Sequence, residues 1–479
     1  MTAPDAPPGS VAVPRAASTV IWLLVGSAFV MILNETIMSV ALPVLVTDLG
    51  ITVGTAQWLT SGFLLTMSVV IPITGYLLQR LTPRTVYLTS MSLFSLGTLI
   101  SAVAPGFGVL LTGRVVQALG TAVMVPLLMT SVIRLVPAEN RGAKMGAISL
   151  VIAVAPAIGP TISGIILSAL SWRWMFLIVL PIALLALAAG AVWLKLDGET
   201  RAIPLDWLSV VLSALAFGGL VFGLSTIGES ARGEAHVPPW LPIVVGVVAL
   251  ALFVARQLRL QRTGSALLDL RPLGYRSFTV PLVLVILGMM SLFGALILLP
   301  LFMQDVLRVS AFVTGLAVLP GGLVMGLLGP FVGRLYDKVG ARPLVVPGTV
   351  ALALSLWGFT TVGETTPVLA LVGLHVVLVV GLSFMFTPLM TDALGKLPGS
   401  LDSYGSAILA TLQQVAGAAG TALFVTLMVV FATTPDVAAD ATGARAAFLC
   451  AAIIATVAVP VSLLVGGRKQ TPEQAPAAV

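Results

Sequence analysis

The sequence predicts an all-α membrane protein of fourteen spanning helices, with two six-helix halves, two helices inserted between them, and both termini cytoplasmic. Three observations carry that expectation. First, 58% of the 479 residues are apolar and only 9% are charged, against about 25% charged in a soluble domain, and the mean hydropathy is +1.11. The apolar residues fall in runs of roughly 20, the length that crosses a bilayer. Second, the basic residues sort to alternate loops. Third, a polar segment after the second run recurs after the tenth.

In chain order, residues 1–18 are rich in Pro and Ala and read as a disordered cytoplasmic N-terminus, without the basic start or cleavage site of a signal peptide. Apolar runs follow at about 19–46, 54–78, 85–104, 107–132, 145–168 and 174–194, which make up an N-terminal half over 19–194. Runs at about 207–227 and 240–258 with their cytoplasmic flanking loops form an insert, 195–277. Runs at about 278–302, 312–333, 343–362, 367–390, 405–431 and 445–466 give a C-terminal half, 278–466, and 467–479 is a cytoplasmic tail. Short polar or Pro/Gly breaks separate the runs.

With the N-terminus inside, the alternating loops place 19 of the 24 basic residues on the cytoplasmic side. They are Arg15; Arg80, Arg84; Arg134, Arg141, Lys144; Lys195, Arg201; Arg256, Arg259, Arg262, Arg271, Arg276; Arg334, Lys338, Arg342; Lys396; and Arg468, Lys469. The outer loops hold Arg173, Arg232, Arg308 and Arg445, and Arg114 alone lies inside a run. One missed or extra helix would scramble this positive-inside pattern from that point on. The formal charge of +6 is therefore a sidedness signal and not a nucleic-acid footprint.

The repeat pairs Gly75-Tyr-Leu-Leu-Gln-Arg-Leu-Thr-Pro-Arg84 with Gly333-Arg-Leu-Tyr-Asp-Lys-Val-Gly-Ala-Arg342 at an offset of 258 residues, which also carries Gly159 onto Gly417. Parallel six-helix repeats around a site near the bilayer midplane are a secondary-transporter architecture. Other classes fit poorly. A lone cysteine, Cys450, and two histidines, His236 and His375, exclude a disulfide framework and leave no metal cluster. No nucleophile–base pair and no phosphate-binding Gly-rich loop is present, which argues against an enzyme or an ATP-driven pump. The longest outer loop, near 228–239, is too short for a sensor domain.

Two charges stand where lipid should forbid them. Glu35 lies in mid-run beside Asn34, and a buried charge there costs a few kcal/mol at least. A carboxyl that sheds its charge when dry and regains it when wet can bind and release a proton. Arg114 stays charged, so it must meet a polar interior, a carbonyl or Glu35, and its approach would favour the ionised form of Glu35. Gln117, Ala118 and Thr121 share one helical stripe with it. Candidates to line a substrate cavity are Glu35, Met31, Met38, Gln117, His375, Gln413 and Gln414; plain packing or hydrogen-bonded filling is the competing explanation for the methionines and the histidine.

These residues resemble the major facilitator superfamily, and within it the 14-helix drug:proton antiporter branch. Leu33-Asn-Glu-Thr-Ile-Met-Ser-Val-Ala-Leu-Pro43 is similar to that branch's first-helix motif, with Asn34 at its Asp position and the acid moved to Glu35. Leu-Asn-Glu-Thr at the same place resembles the lincomycin-resistance subgroup. Gly75 to Arg84 resembles the loop motif between helices two and three, with Gln79 for the usual Asp, while the second copy keeps that acid as Asp337. Leu111 to Ala122 resembles the helix-four motif, whose Arg the family implicates in proton coupling. Ala155 to Gly164 resembles the antiporter motif of helix five, with Ser163 where a second Gly is common, and Trp172-Arg-Trp-Met-Phe176 resembles a segment before helix six.

The resemblance implies a proton-coupled exporter of amphipathic small molecules working by alternating access in the plasma membrane. It would act as a monomer, with no cofactor, no metal and no nucleic-acid partner, and with protons and lipid as its other partners. Proton coupling falls to Glu35, Asn34 and Arg114. Gating falls to Gly75, Arg80, Arg84, Gly159, Pro160, Gly164, Gly333, Asp337, Lys338 and Arg342. Among these, Gly159, Pro160 and Gly164 are expected to seal the two halves, and Asp337, Lys338 and Arg342 to form a charge relay. A transporter of one metabolite, amino acid or siderophore is the alternative.

Overall fold

The computed structural model describes residues 15–51, 53–194, 204–231, 237–432 and 441–466. The expected N-terminal segment before Arg15, the tail 467–479, Lys195, Arg201, Arg232, His236, Arg468 and Lys469 lie outside the described residues. Among the described residues, fourteen helices are long and apolar enough to cross a membrane, and no strand occurs. They are α1 (Arg15–Leu49), α2 (Val53–Arg80), α3 (Pro83–Ala102), α4 (Phe107–Leu135), α5 (Arg141–Ala169), α6 (Trp174–Trp193) and α7, which is Trp207–Ser213 joined to Gly219–Ala231 by a π turn. Then come α8 (Trp240–Leu260), α9 (Arg276–Leu301), α10 (Ala311–Val339), α11 (Arg342–Phe359), α12 (Val368–Gly395), α13 (Asp402–Val430) and α14 (Ala441–Ser462). The first helix starts at Arg15, ahead of the expected residue 19, so residues 15–18 are helical.

Local chemistry sets several of these ends. Thr82 caps α3 by accepting the Thr85 amide, and Pro83 follows at the first helical position, where its missing N–H is harmless. Ser310 caps α10 through the Val313 amide. Gly340 ends α10 at φ +82°, a left-handed conformation that a Cβ disfavours. Exposed indoles at helix ends, among them Trp174, Trp193, Trp207 and Trp240, have an apolar body and a polar tip suited to the membrane–water boundary.

The packing is two-fold in plan. In the N-terminal half α3 packs on α4 and α6; in the C-terminal half α11 packs on α12 and α14. The halves meet along two seams, α5 against α10 and α2 against α13, which the repeat interchanges. On the α5–α10 seam, Gly142 and Gly146 face Gly333 and Gly329, and a Cβ on any of the four would strike the backbone or side chain of the opposite helix. Small residues four apart on both partners let helices approach to backbone contact, which is how helices associate in lipid without a hydrophobic drive.

The inserted hairpin packs through Gly219, Gly223 and Gly246. Asp206 accepts from Arg256 Nε at 2.6 Å and Nη2 at 2.8 Å, and Gln257 donates to Ser209 Oγ at 2.7 Å. The Arg256 hydrogen bonds hold the Asp206 carboxyl below the usual range, at about 2, so this tie stays charged throughout the neutral range.

Candidate functional site

Arg114 is fully buried and is hydrogen-bonded to groups on three helices. Its Nη1 donates to Asn34 Oδ1 on α1 at 3.1 Å and to Gln117 Oε1 on α4 at 3.0 Å. Its Nε reaches the Leu59 carbonyl on α2 at 3.4 Å, and its guanidinium carbon lies 4.1 Å from the centre of the Phe63 ring. Gln117 donates onward to Thr98 Oγ1 on α3 at 2.8 Å. One guanidinium thus joins α1 to α4, and Nη2 is buried without a hydrogen-bond partner. Its described hydrogen-bond partners and ring contact are neutral, so dipoles and an aromatic face meet the positive charge.

Glu35 is placed differently. It is half-buried, and among the described residues it makes no hydrogen bond and no ion pair within 4.0 Å. Successive α-helical residues turn by about 100°. Asn34 is fixed to α4, a Cβ on Gly159 of α5 would strike Thr36, and Ile37 is buried in a cluster with Trp172, Met175 and Phe176. Glu35 therefore projects into the arc between α4 and α5, away from the packed side of α1.

The remaining cavity candidates divide. Gln413 and Gln414 on α13 are half-buried, with Gln413 Nε2 unpartnered. Met31, Met38 and His375 are each 1% exposed, and Gln117 is spent on Arg114 and Thr98. These four are enclosed by protein in this conformation. Met31 and Met38 belong to the apolar cores, and His375 lies against Gly321 with Nδ1 unpartnered.

Of the gating candidates, Gly75, Arg80, Arg84, Gly333, Asp337, Lys338 and Arg342 lie toward the face that carries the basic loops. Asp337 accepts the Gly142 and Ala143 amides, both at 2.9 Å, one through each carboxylate oxygen. A carboxylate from the C-terminal half thus caps the N-terminus of α5, where unpaired N–H groups and the helix dipole favour negative charge. Lys338 and Arg342, the other members of the expected relay, are exposed. The pseudo-symmetric Gln79 is buried and donates to the Ser400 carbonyl at 2.8 Å. Ser400 stands 258 residues after Gly142, so the repeat pairs the two latches position for position. Gly75, beside Gln79, is packed against Tyr404 and Ala407. Arg80 and Arg84 are exposed and donate to Tyr76 Oη and the Ala191 carbonyl, each within one half.

Further bonds cross between the halves at the same end: Thr130 to Ser406, Arg134 to Ser403, Arg141 to the Gly395 carbonyl and Thr387 to Ser149. All the hydrogen bonds described between the halves lie toward the basic face, which is shut. Gly159 takes no part in this seam. Its close neighbour is Thr36 of α1, inside its own half, and Gly164 has open space around it; of Pro160 only the backbone is described. Backbone contact between the halves on the α5–α10 seam is made at Gly142, Gly146, Gly329 and Gly333. Of these only Gly333 was expected, although the Gly-x-x-x-Gly spacing on both helices is readable in the sequence.

Asp337→Asn retains the shape of the latch but removes its charge. Hydrogen bonds to a charged group contribute about 1.5–3 kcal/mol, so the shut basic face should open more often, about tenfold. The check is maleimide labelling from the basic face of a cysteine at the buried Ser406, in a Cys450→Ser background.

Comparison with known proteins agrees with this geometry. The Major Facilitator Superfamily model matches residues 24–421. The chain is 42% identical over 402 residues to "Lincomycin resistance protein LmrB" of Listeria monocytogenes, covering 84% of each chain. It is 30% identical over 402 residues to "Multidrug resistance protein B homolog" of Mycobacterium tuberculosis, covering 82% of this chain and 73% of that one. Among solved structures, the human organic anion transporter MFSD10 superposes with a TM-score of 0.66 at 17% identity, over 94% of this chain and all of that one. With fourteen spanning helices in six–two–six order, a pseudo-symmetric pair of latches and these relatives, the chain belongs to the Major Facilitator Superfamily and is a multi-pass membrane transporter, not an enzyme.

Proposed function

We propose that this transporter exports amphipathic small molecules, lincosamide-like antibiotics among them, in exchange for protons, with Glu35 as the proton carrier. The observation that carries this reading is the division of labour on α1. Asn34 is locked to Arg114, while Glu35, next in sequence, is half-buried and makes no hydrogen bond or ion pair among the described residues. An acid so placed can meet water or cargo from either side of an alternating-access cycle.

The basic face is the cytoplasmic one, by the loop charges, and the state described is shut there. In the cycle, the Asp337 and Gln79 latches part, cargo enters from the cytoplasm and Glu35 releases its proton. The halves then rock, cargo leaves outside, and an external proton reloads Glu35. No cofactor takes part, and one polypeptide suffices. Membrane potential contributes about 2.3 kcal/mol per elementary charge per 100 mV, according to the net charge exchanged.

The test is purified protein in proteoliposomes with a trapped pH dye. Addition of a lincosamide or a lipophilic cation should drive proton flux opposite to cargo movement, and collapse of the pH gradient should stop cargo accumulation. Cargo movement with no accompanying proton flux would overturn the assignment. The named relatives support the cargo class by their resistance names alone.

A further inference from the structure

The two pseudo-symmetric latches of the shut face differ in chemistry. On α5–α10 the latch is a carboxylate on two helix-terminal amides; on α2–α13 it is the neutral Gln79–Ser400 bond. The inserted hairpin lies over the α2–α13 seam. Its α7 meets α2 where Gly218 approaches Leu65 and Val69, and where Phe222 packs on Trp58 at 5.7 Å between ring centres. The second segment of α7 packs along α13.

The loop leaving α8 then turns back beneath the bundle. Ala266, Leu267, Leu268 and Asp269 are all buried to 3% or less, unusual for a connection between helices, since loops normally run over the surface. Gln257, fully buried at the end of α8, holds this loop at both ends of its amide: Oε1 accepts from the Leu268 amide at 3.1 Å while Nε2 donates to Ser209 on α7. The Ala266 carbonyl in turn accepts from Tyr404 Oη at 3.4 Å. Tyr404 is in the first turn of α13, and its ring is what a side chain at Gly75 of α2 would strike.

We propose that the α7–α8 hairpin and loop 265–270 form a strap across the α2–α13 seam that holds the basic face shut and must release for it to open. The two inserted helices thereby compensate for the amide at position 79, where the other copy of the motif has an acid. The strap bears on α13 through Tyr404, on α2 through the body of α7, and is tensioned by Gln257. Its anchor, the Asp206–Arg256 pair, lies one turn before Ser209 on α7 and directly beside Gln257 on α8.

This inference rests on the alternating-access reading and deepens it. The experiment uses full-length protein in inverted membranes, in a Cys450→Ser background with the Ser406→Cys reporter, labelled from the basic face by a membrane-impermeant maleimide. Gln257→Leu removes both clamp bonds while filling the same space; Tyr404→Phe keeps the ring on Gly75 and removes only the hydroxyl. Gln257→Leu should raise the labelling rate about tenfold and Tyr404→Phe about two- to fivefold, from net hydrogen-bond contributions of the usual size. The double variant should gain less than the product of the two, because both act on one strap. Should Gln257→Leu fail to fold, the Tyr404→Phe result decides. Unchanged labelling in the strap variants beside a rise in Asp337→Asn would overturn the strap alone. Unchanged labelling in all of them, Asp337→Asn included, would overturn the gate and the strap together.

Discussion

Glu35→Gln is expected to abolish uphill export while leaving the protein folded and inserted. The amide has nearly the shape of the acid and breaks no interaction described for Glu35, so thermal stability should hold. What is lost is the exchangeable proton. One proton moved down one pH unit corresponds to about 1.4 kcal/mol, or a factor of about ten in cargo gradient. The parent should therefore sustain such a gradient and the variant none above empty membranes. Glu35→Asp, one methylene shorter, should retain coupling at a lower rate. A susceptibility panel in an efflux-deficient host, with lincosamides and lipophilic cations, gives the cellular readout. Resistance undiminished in Glu35→Gln would remove Glu35 from the mechanism.

The second large effect is expected at the glycine seam. In Gly146→Leu the new side chain meets the Gly329 carbonyl and the Pro330 backbone, which cannot turn aside as a flexible side chain would. Overpacking commonly costs about 1–3 kcal/mol, and contact with backbone puts this case at the upper end. The shut basic face should lose about a hundredfold in population, and transport should fall to background because one half of the cycle is missing. Gly164→Leu, with open space around the glycine, is the control and should transport normally. Equal loss in both would point to general misfolding; wild-type transport in Gly146→Leu would remove the close approach from the cycle.

The contrast between those glycines shows how far the sequence could be read. The helices themselves were legible, because an apolar run of bilayer length has one economical conformation in lipid. The offset of 258 was legible too, and the structure turns it into geometry by setting Asp337 on Gly142 and Gln79 by Ser400. Asn34, Arg114 and Gln117 could be singled out as polar groups in apolar runs. Their mutual bonding could not, because it depends on which faces of α1, α2 and α4 meet. The same gap explains Met31, Met38 and His375: periodicity gives a face, but not whether the neighbour across it is protein or open space. It also explains the seal, where a motif directed attention to Gly159 and the backbone contact lies nearer the start of the same helix. The buried loop after α8 left no signal beyond ordinary leucines.

The neutral environment of Arg114 has an electrical corollary. Its guanidinium contributes one fixed positive charge to the interior, and among the described residues no carboxylate lies within ion-pair distance of it. Under the proposed exchange, the interior with protonated Glu35 and the interior with ionised Glu35 plus a monovalent cationic cargo carry the same total. One-for-one exchange of such a cargo is then electroneutral and indifferent to membrane voltage, whereas an uncharged cargo obliges the carrier to shuttle between unequal charge states. A single transporter of this build would thus draw on the pH difference for every substrate, and on the electrical potential only for some.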